Sequence, residues 1–263
     1  MQRLLAVPGR ATSGGTITWG SGRAPWRVST ALALVVAACL AGLGAPLAQA
    51  ETSAGAERAT PPFGGEARLG NIELDRRARS FRVPGTVKRL DPPLEYLAVS
   101  RGGMKGYEAL LELDAGGRDL NTACILIGLE PPSGGAPRFQ FDQEPIAGQP
   151  VGLRIGWETE SGPMEVDAGR GLTVQGQEAG EQAWVYIGSQ FDPGGRYLAE
   201  DTGTLIGFVH DPISIIEHRE GLGVGAYGSV AGNASLLPAP GTKVWLRVTN
   251  LGPAGAGQPA RSE

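Results

Sequence analysis

Short alternating runs, not long amphipathic stretches, carry the hydrophobic pattern of this chain. In NIELDRRARSFRVPGTV, Ile72 and Leu74 alternate with charged neighbours, Arg76-Arg77 breaks the run, and Phe81 and Val83 resume it. This predicts an antiparallel pair ending at Pro84-Gly85. LEYLAVS, residues 94–100, is a short apolar strand bounded by Pro92-Pro93 and Gly102-Gly103. YEALLELD, residues 107–114, puts Ala109, Leu111 and Leu113 on one face. Glu108, Leu110, Glu112 and Asp114 lie on the other, which is expected to look towards solvent or a ligand groove. Further strands are predicted at 151–157, 172–175, 183–187, 205–209 and 243–249. In the last, Val244, Leu246 and Val248 form the expected core face.

Helical spacing is rarer. Asp119 is placed as an N-cap, Leu120, Ala123, Cys124 and Ile127 trace an apolar stripe, and Gly128 stops the helix before Pro131-Pro132. A helix this short must be held by packing against a sheet. A second helical turn is predicted from Asp211-Pro212 to Glu217, since aspartate caps and proline suits the first helical position. The resulting fold class is α+β, a mainly antiparallel or mixed sheet with two short packed helices.

The start of the chain reads differently. Arg23 and Arg27 precede the apolar STALALVVAACLAGLGAPLAQA of residues 29–50, and Ala48-Gln49-Ala50 supplies the small-x-small arrangement of a signal peptidase site. The unbroken apolar run 31–41 is short of the roughly 20 residues of a membrane helix. Residues 1–50 are therefore read as a signal peptide, which places the remainder in the periplasm. Val36-Ala37-Ala38-Cys39 also resembles a lipoprotein cleavage box, and the alternative is a domain tethered through lipidated Cys39. Residues 51–68 and 252–263, rich in glycine and proline, read as a flexible lead-in and tail around a domain at 69–251.

Processing changes the charge. All 27 acidic residues follow position 50, while four of the 23 basic ones precede it, which leaves 19 basic residues and a formal charge of −8. That balance opposes general attraction to nucleic acid or anionic lipid. With Cys39 removed, Cys124 is the only cysteine, so no internal disulfide can form, and its setting in TACILIG marks it as a buried small hydrophobe.

The leading chemical candidate is Gly103-Met104-Lys105-Gly106-Tyr107-Glu108. A turn folding Lys105 back would let it share a pocket with Glu108, with Tyr107 offering a hydroxyl or an aromatic platform; a loop-fixing ion pair explains the same residues. His210-Asp211 and Glu217-His218 hold the two histidines at the ends of a short segment without the spacing of a metal site, so no metal and no cofactor are expected. Gly223 to Gly228 matches Gly-x-Gly-x-x-Gly, yet EHRE precedes it and no helical pattern follows, so it is read as a tight loop. The chain lacks a Gly-x-Ser-x-Gly elbow and a phosphate loop. Trp157, Trp184 and Trp245 lie in strand-like runs and are expected in the core.

LEYLAVSRGGMKGYEALLELDAGGRDLNTACILIGLEP, followed by WVYIGSQF and LPAPGTKVWLRV, resembles the YdjY-like family of exported bacterial domains over most of residues 70–250. The resemblance implies a domain without an established reaction. Members of that family commonly carry a histidine before the glutamate of the lysine motif, where this chain has Tyr107, so a metal or acid–base role resting on that histidine does not transfer. The expectation is an exported binding or accessory domain for a small ligand or envelope protein, with Lys105, Tyr107 and Glu108 as its site. A periplasmic hydrolase or transferase using those residues, and a structural envelope protein, are the alternatives.

Overall fold

Pro84-Gly85 does not end a hairpin; it lies inside a strand and closes a barrel. The computed structural model describes residues 66–252 except 133 and 135. The segment read as a signal peptide, with Cys39 in it, lies outside the described residues. Strands β1 (Glu66–Leu69), β2 (Ile72–Asp75) and β3 (Ser80–Val87) pair antiparallel in order, so β1 occupies part of the expected lead-in. One edge of β3 pairs with β14 (Lys243–Asn250) from Ser80 to Thr86. The other edge pairs with β2 along Ser80–Arg82 and then with β5 (Ala109–Leu113) along Gly85–Val87. Pro84 has no N–H to give to a ladder, and it stands where that edge changes partner. Gly85 admits the new strand, because a Cβ there would sit 2.4 Å from the Glu112 carbonyl oxygen.

From β5 the ladder continues through β4 (Tyr96–Ser100), β11 (Thr204–Gly207), β12 (Ile216–His218), β10 (Trp184–Tyr186) and β6 (Gln149–Thr159) back to β14. Eight strands thus close on themselves. The β4–β5 and β11–β12 pairs are parallel and the rest antiparallel. Strand β7 (Gly162–Asp167) extends β6 outside the ring, and β8 (Leu172–Val174), β9 (Gln177–Glu178) and β13 (Val230–Gly232) make a small separate sheet.

The closed β-barrel overturns the α+β expectation. Among the described residues the helices are α1 (Gly117–Leu126) and α2 (Leu198–Thr202), with one 3-10 turn at Gly106–Glu108. Alternation fixes which face of a strand is buried, but closure depends on β3 meeting β5, a pairing that no local period encodes. The predicted helical turn at 211–217 is also absent. Ile215, Ile216 and Glu217 are fully buried, and Ile216–His218 is the strand that joins β10 to β11. Pairing on both edges outweighs the Asp-Pro signal there.

Helix α1 buries Leu120, Ala123 and Cys124 as its stripe predicts, with Ile127 buried at the C-cap and Gly128 following at φ +85°. Its N-cap is Gly116, not Asp119, and the Glu200 carboxylate of α2 accepts the Arg118 N–H at 2.8 Å. The cap comes from a residue distant in sequence. Strand β5 is buried on both faces, so Leu110 and Glu112 do not look into solvent. Strand β14 points Val244, Leu246 and Val248 inward as expected. Trp157 and Trp184 are buried, whereas Trp245 lies on the opposite face of its strand, 5.8 Å from the Arg82 guanidinium.

Candidate functional site

A cleft of about 320 Å3 opens where four segments that are far apart in sequence meet. Leu94 and Glu95 lead into β4, and their backbones are tied on both sides. Leu94 donates to the Val230 carbonyl at 3.1 Å, Glu95 donates to that of Glu108 at 2.9 Å, and Phe208 donates to that of Glu95 at 3.1 Å. Phe141 donates to Val209 at 3.1 Å and Leu222 to Phe208 at 2.6 Å, which brings in the remaining walls. Leu94, Phe141, Val209, Leu222 and Val230 make the lining apolar, and Glu95 is its only carboxyl. The volume falls at the small end of the range typical of ligand pockets, and one polar group in an apolar wall is their usual composition.

The fourth wall is the glycine-rich loop. Gly221, Gly223, Gly225 and Gly228 all take positive φ, between 72° and 83°, which lets the chain turn back repeatedly over the cleft. The motif that resembles a dinucleotide fingerprint therefore serves as a wall, with Tyr227 exposed on it.

Glu95 is only 4% exposed. Burial, aided by the neighbouring charge of Glu108 and opposed by Lys105, pushes its carboxyl up to about 7. Its proton is thus held or released near neutral pH. Gln140 Nε2 donates to Glu95 Oε2 at 3.3 Å and to the Tyr96 hydroxyl at 3.1 Å, and that hydroxyl donates to Asp211 Oδ2 at 2.6 Å. Glu217 lies behind Asp211, accepting the backbone N–H groups of His210 and Asp211 at 3.1 Å each. Burial, reinforced by the charge of Asp211, raises the Glu217 carboxyl to about 8.

His210 joins this network to the cleft wall. It adopts φ +63°, a conformation uncommon outside glycine. Its Nδ1 meets the Asp142 carbonyl, and its Nε2 lies 3.0 Å from the His218 carbonyl. The fully buried ring thereby ties the 139–142 segment to β12. Backbone strain held in place by packing is a common mark of functional regions. His218 sits apart, edge-on to Trp184 at 5.4 Å, with Nε2 2.8 Å from Gln182 Oε1; burial pushes it down to about 4. Among the described residues no three His, Cys, Asp or Glu side chains are arranged to hold a metal ion. Cys124 is fully buried, and burial pushes its thiol well above the usual range.

The predicted residues lie beside the cleft and do not line it. Lys105 Nζ is 3.5 Å from Glu108 Oε2. Burial works against the Lys105 ammonium, but the charge of Glu108, the Tyr107 hydroxyl and Glu95 outweigh it, so its pKa rises. The ammonium also stands 5.9 Å from the Tyr96 ring and 5.7 Å from that of Tyr107, which is itself exposed. Glu108 is buried, and its charge acts on the Glu95 carboxyl. The lysine and its glutamate converge, and Glu95 carries their influence to the cleft. Sequence reasoning passed over Glu95, Tyr96 and Gln140, and it read Asp211 as a helix cap beside a histidine. The one local sign was a glutamate directly preceding the apolar core of LEYLAVS.

A second and larger groove, about 690 Å3, lies on the barrel's polar face along β1, β2, β3 and β14. Cross-strand register aligns Arg68, Glu73, Arg82, Arg247, Arg154 and Asp167 in one row over six strands. Arg68 and Arg82 share Glu73, while Arg154 and Arg247 share Glu165. Charges already paired on a solvated face account for this surface.

The molecule is therefore a closed β-barrel domain with an apolar, glycine-walled cleft and one buried carboxyl at its wall. Residues 72–249 match the family model of the YdjY domain, and the chain belongs to that family. No curated protein and no solved structure matches it.

Proposed function

We propose that this is an exported binding domain that holds a small ligand in the cleft against Glu95. The carrying observation is the cleft itself, with apolar walls drawn from four distant segments around a single buried carboxyl. Lys105 and Glu108 act from behind, setting the charge and proton affinity of Glu95, and Tyr107 flanks them at the surface. Native mass spectrometry of the protein incubated with a small-molecule extract tests the reading. Wild type should retain a compound that Ala226→Trp, which fills the cleft, loses. A wild type that retains nothing, or a filled variant that retains the same compound, refutes it.

Export rests on the apolar segment at residues 29–50 and its small-x-small boundary. Sequencing the mature N-terminus checks it: a start at Glu51 supports a free periplasmic domain, and a lipid-blocked Cys39 supports a tethered one. Among the described residues no helix is long and apolar enough to cross a membrane.

One observation favours a second reading as a hydrolase or transferase. A carboxyl with a pKa near 7 in a cleft has the proton affinity of a general acid–base. Turnover of a substrate by wild type, abolished in Glu95→Gln with the fold intact, would establish that role.

A further inference from the structure

The balance of charge around the cleft points to the kind of ligand. Glu95 faces Glu108 and Lys105 from the 3-10 turn and Asp211 from the segment after β11, with Glu217 behind Asp211. From the 139–142 segment it faces the neutral Gln140, while Asp142 is paired with Arg138; from its own strand comes Tyr96. Glu95 and Glu108 both act on the one nearby ammonium, and that ammonium is bound to Glu108 and does not reach the cleft lining. An anion placed in the cleft would meet Glu95 with no free cation at its wall. A cation would find a carboxyl in an apolar enclosure, where water screens the pair least. Phe141 and Tyr227, both exposed, also line the cleft, and aromatic rings favour a cation.

We propose that the cleft selects small apolar amines, the ammonium group of the ligand pairing with the Glu95 carboxylate. The inference rests on the reading of the cleft as a ligand site. Below pH 7 the pairing is a balanced exchange: a neutral carboxyl and an ammonium ion become a carboxylate–ammonium pair, and the displaced proton passes to solvent. No bond within the ligand changes. Lys105 pairs with Glu108 at 3.5 Å beside Glu95, while the hydrocarbon walls take the apolar body.

Calorimetric titration of the purified protein with phenethylamine, 2-phenylethanol and 3-phenylpropanoate tests this. At pH 8.5 phenethylamine should bind at least about tenfold more tightly than its neutral isostere, and the carboxylate more weakly than either. Since Glu95 titrates near 7, the affinity for the amine should fall about thirtyfold from pH 8.5 to pH 5.5. Near pH 7 its heat should depend on the buffer, reporting proton release. Glu95→Gln should reduce the amine to the level of the alcohol. If alcohol and amine bind wild type equally, the preference for ammonium is wrong and the cleft remains a ligand site. If none of the three binds, both readings fall. Amine binding that is unchanged in a folded Glu95→Gln also overturns the proposal, and the amine–alcohol comparison decides the matter without any variant.

Discussion

Replacing Glu217 by glutamine should flatten the fall in stability that the wild-type protein shows between pH 5 and pH 9. The side chain is fully buried, and burial reinforced by Asp211 raises its carboxyl from 4.5 to about 8. Between these values the folded chain keeps a proton that the unfolded chain has released. With more protons bound in the folded state, stability falls as pH rises through that window and levels off above it. Each tenfold change in proton affinity corresponds to about 1.4 kcal/mol, so the loss has a ceiling of about 5 kcal/mol at pH 9 and about 3 kcal/mol at pH 7. Typical domains have only about 5–15 kcal/mol in total. The His210 and Asp211 N–H groups bond to different oxygens of Glu217, so glutamine keeps an acceptor for one of them and loses the other bond at every pH, but it has no charge to bury. Urea unfolding of both proteins at pH 5, 6, 7, 8 and 9, followed by tryptophan fluorescence, measures the difference. Between pH 5 and pH 9 wild type should lose about 2–5 kcal/mol more than the variant. Glu95 titrates in both proteins and cancels in the subtraction. Two curves that stay parallel across this range would refute the reasoning.

Three further substitutions examine the surroundings of the cleft. Tyr96→Phe leaves Asp211 without its 2.6 Å donor, and should cost about 2–3 kcal/mol, a fall of about 5–10 °C in thermal midpoint. A change below half a kcal/mol, on the scale of ordinary surface substitutions, would deny that bond its role. Gly156→Ala places a methyl 2.2 Å from the Trp245 ring, which must move away from Glu165; we expect a loss of about 1–3 kcal/mol and altered tryptophan emission. Lys105→Ala removes a partly exposed ion pair and should cost no more than about 1 kcal/mol. It should also move the titration of Glu95 further upward, because the charge opposing its rise is gone; side-chain NMR reads this directly.

Part of the molecule can be read from the order of its residues. Ile72, Leu74, Phe81, Val83, Val244, Leu246 and Val248 face the core as their alternation requires, and Leu120, Ala123 and Cys124 do so at helical spacing. These assignments hold because the face of a strand or helix follows from a period of two or 3.6 residues, which is a local property. The family was also legible, since its blocks recur in order along the chain. Lys105 and Glu108 were found together because three residues and one turn separate them.

Closure of the barrel was decided elsewhere. It depends on one edge of β3 leaving β2 for β5 at Pro84-Gly85, and a local reading of Pro-Gly gives a turn. Asp211-Pro212 likewise suggested a helix where β10 and β11 impose a strand. The site is more dependent still on tertiary structure. Gln140 reaches Glu95 across 45 positions and Asp211 reaches Tyr96 across 115, so neither partner is visible in the motif it completes. A sequence states which side chains carry charge, but the proton affinity of Glu95 is set by how little water surrounds it and by which charges lie beside it. Both are properties of the packed chain.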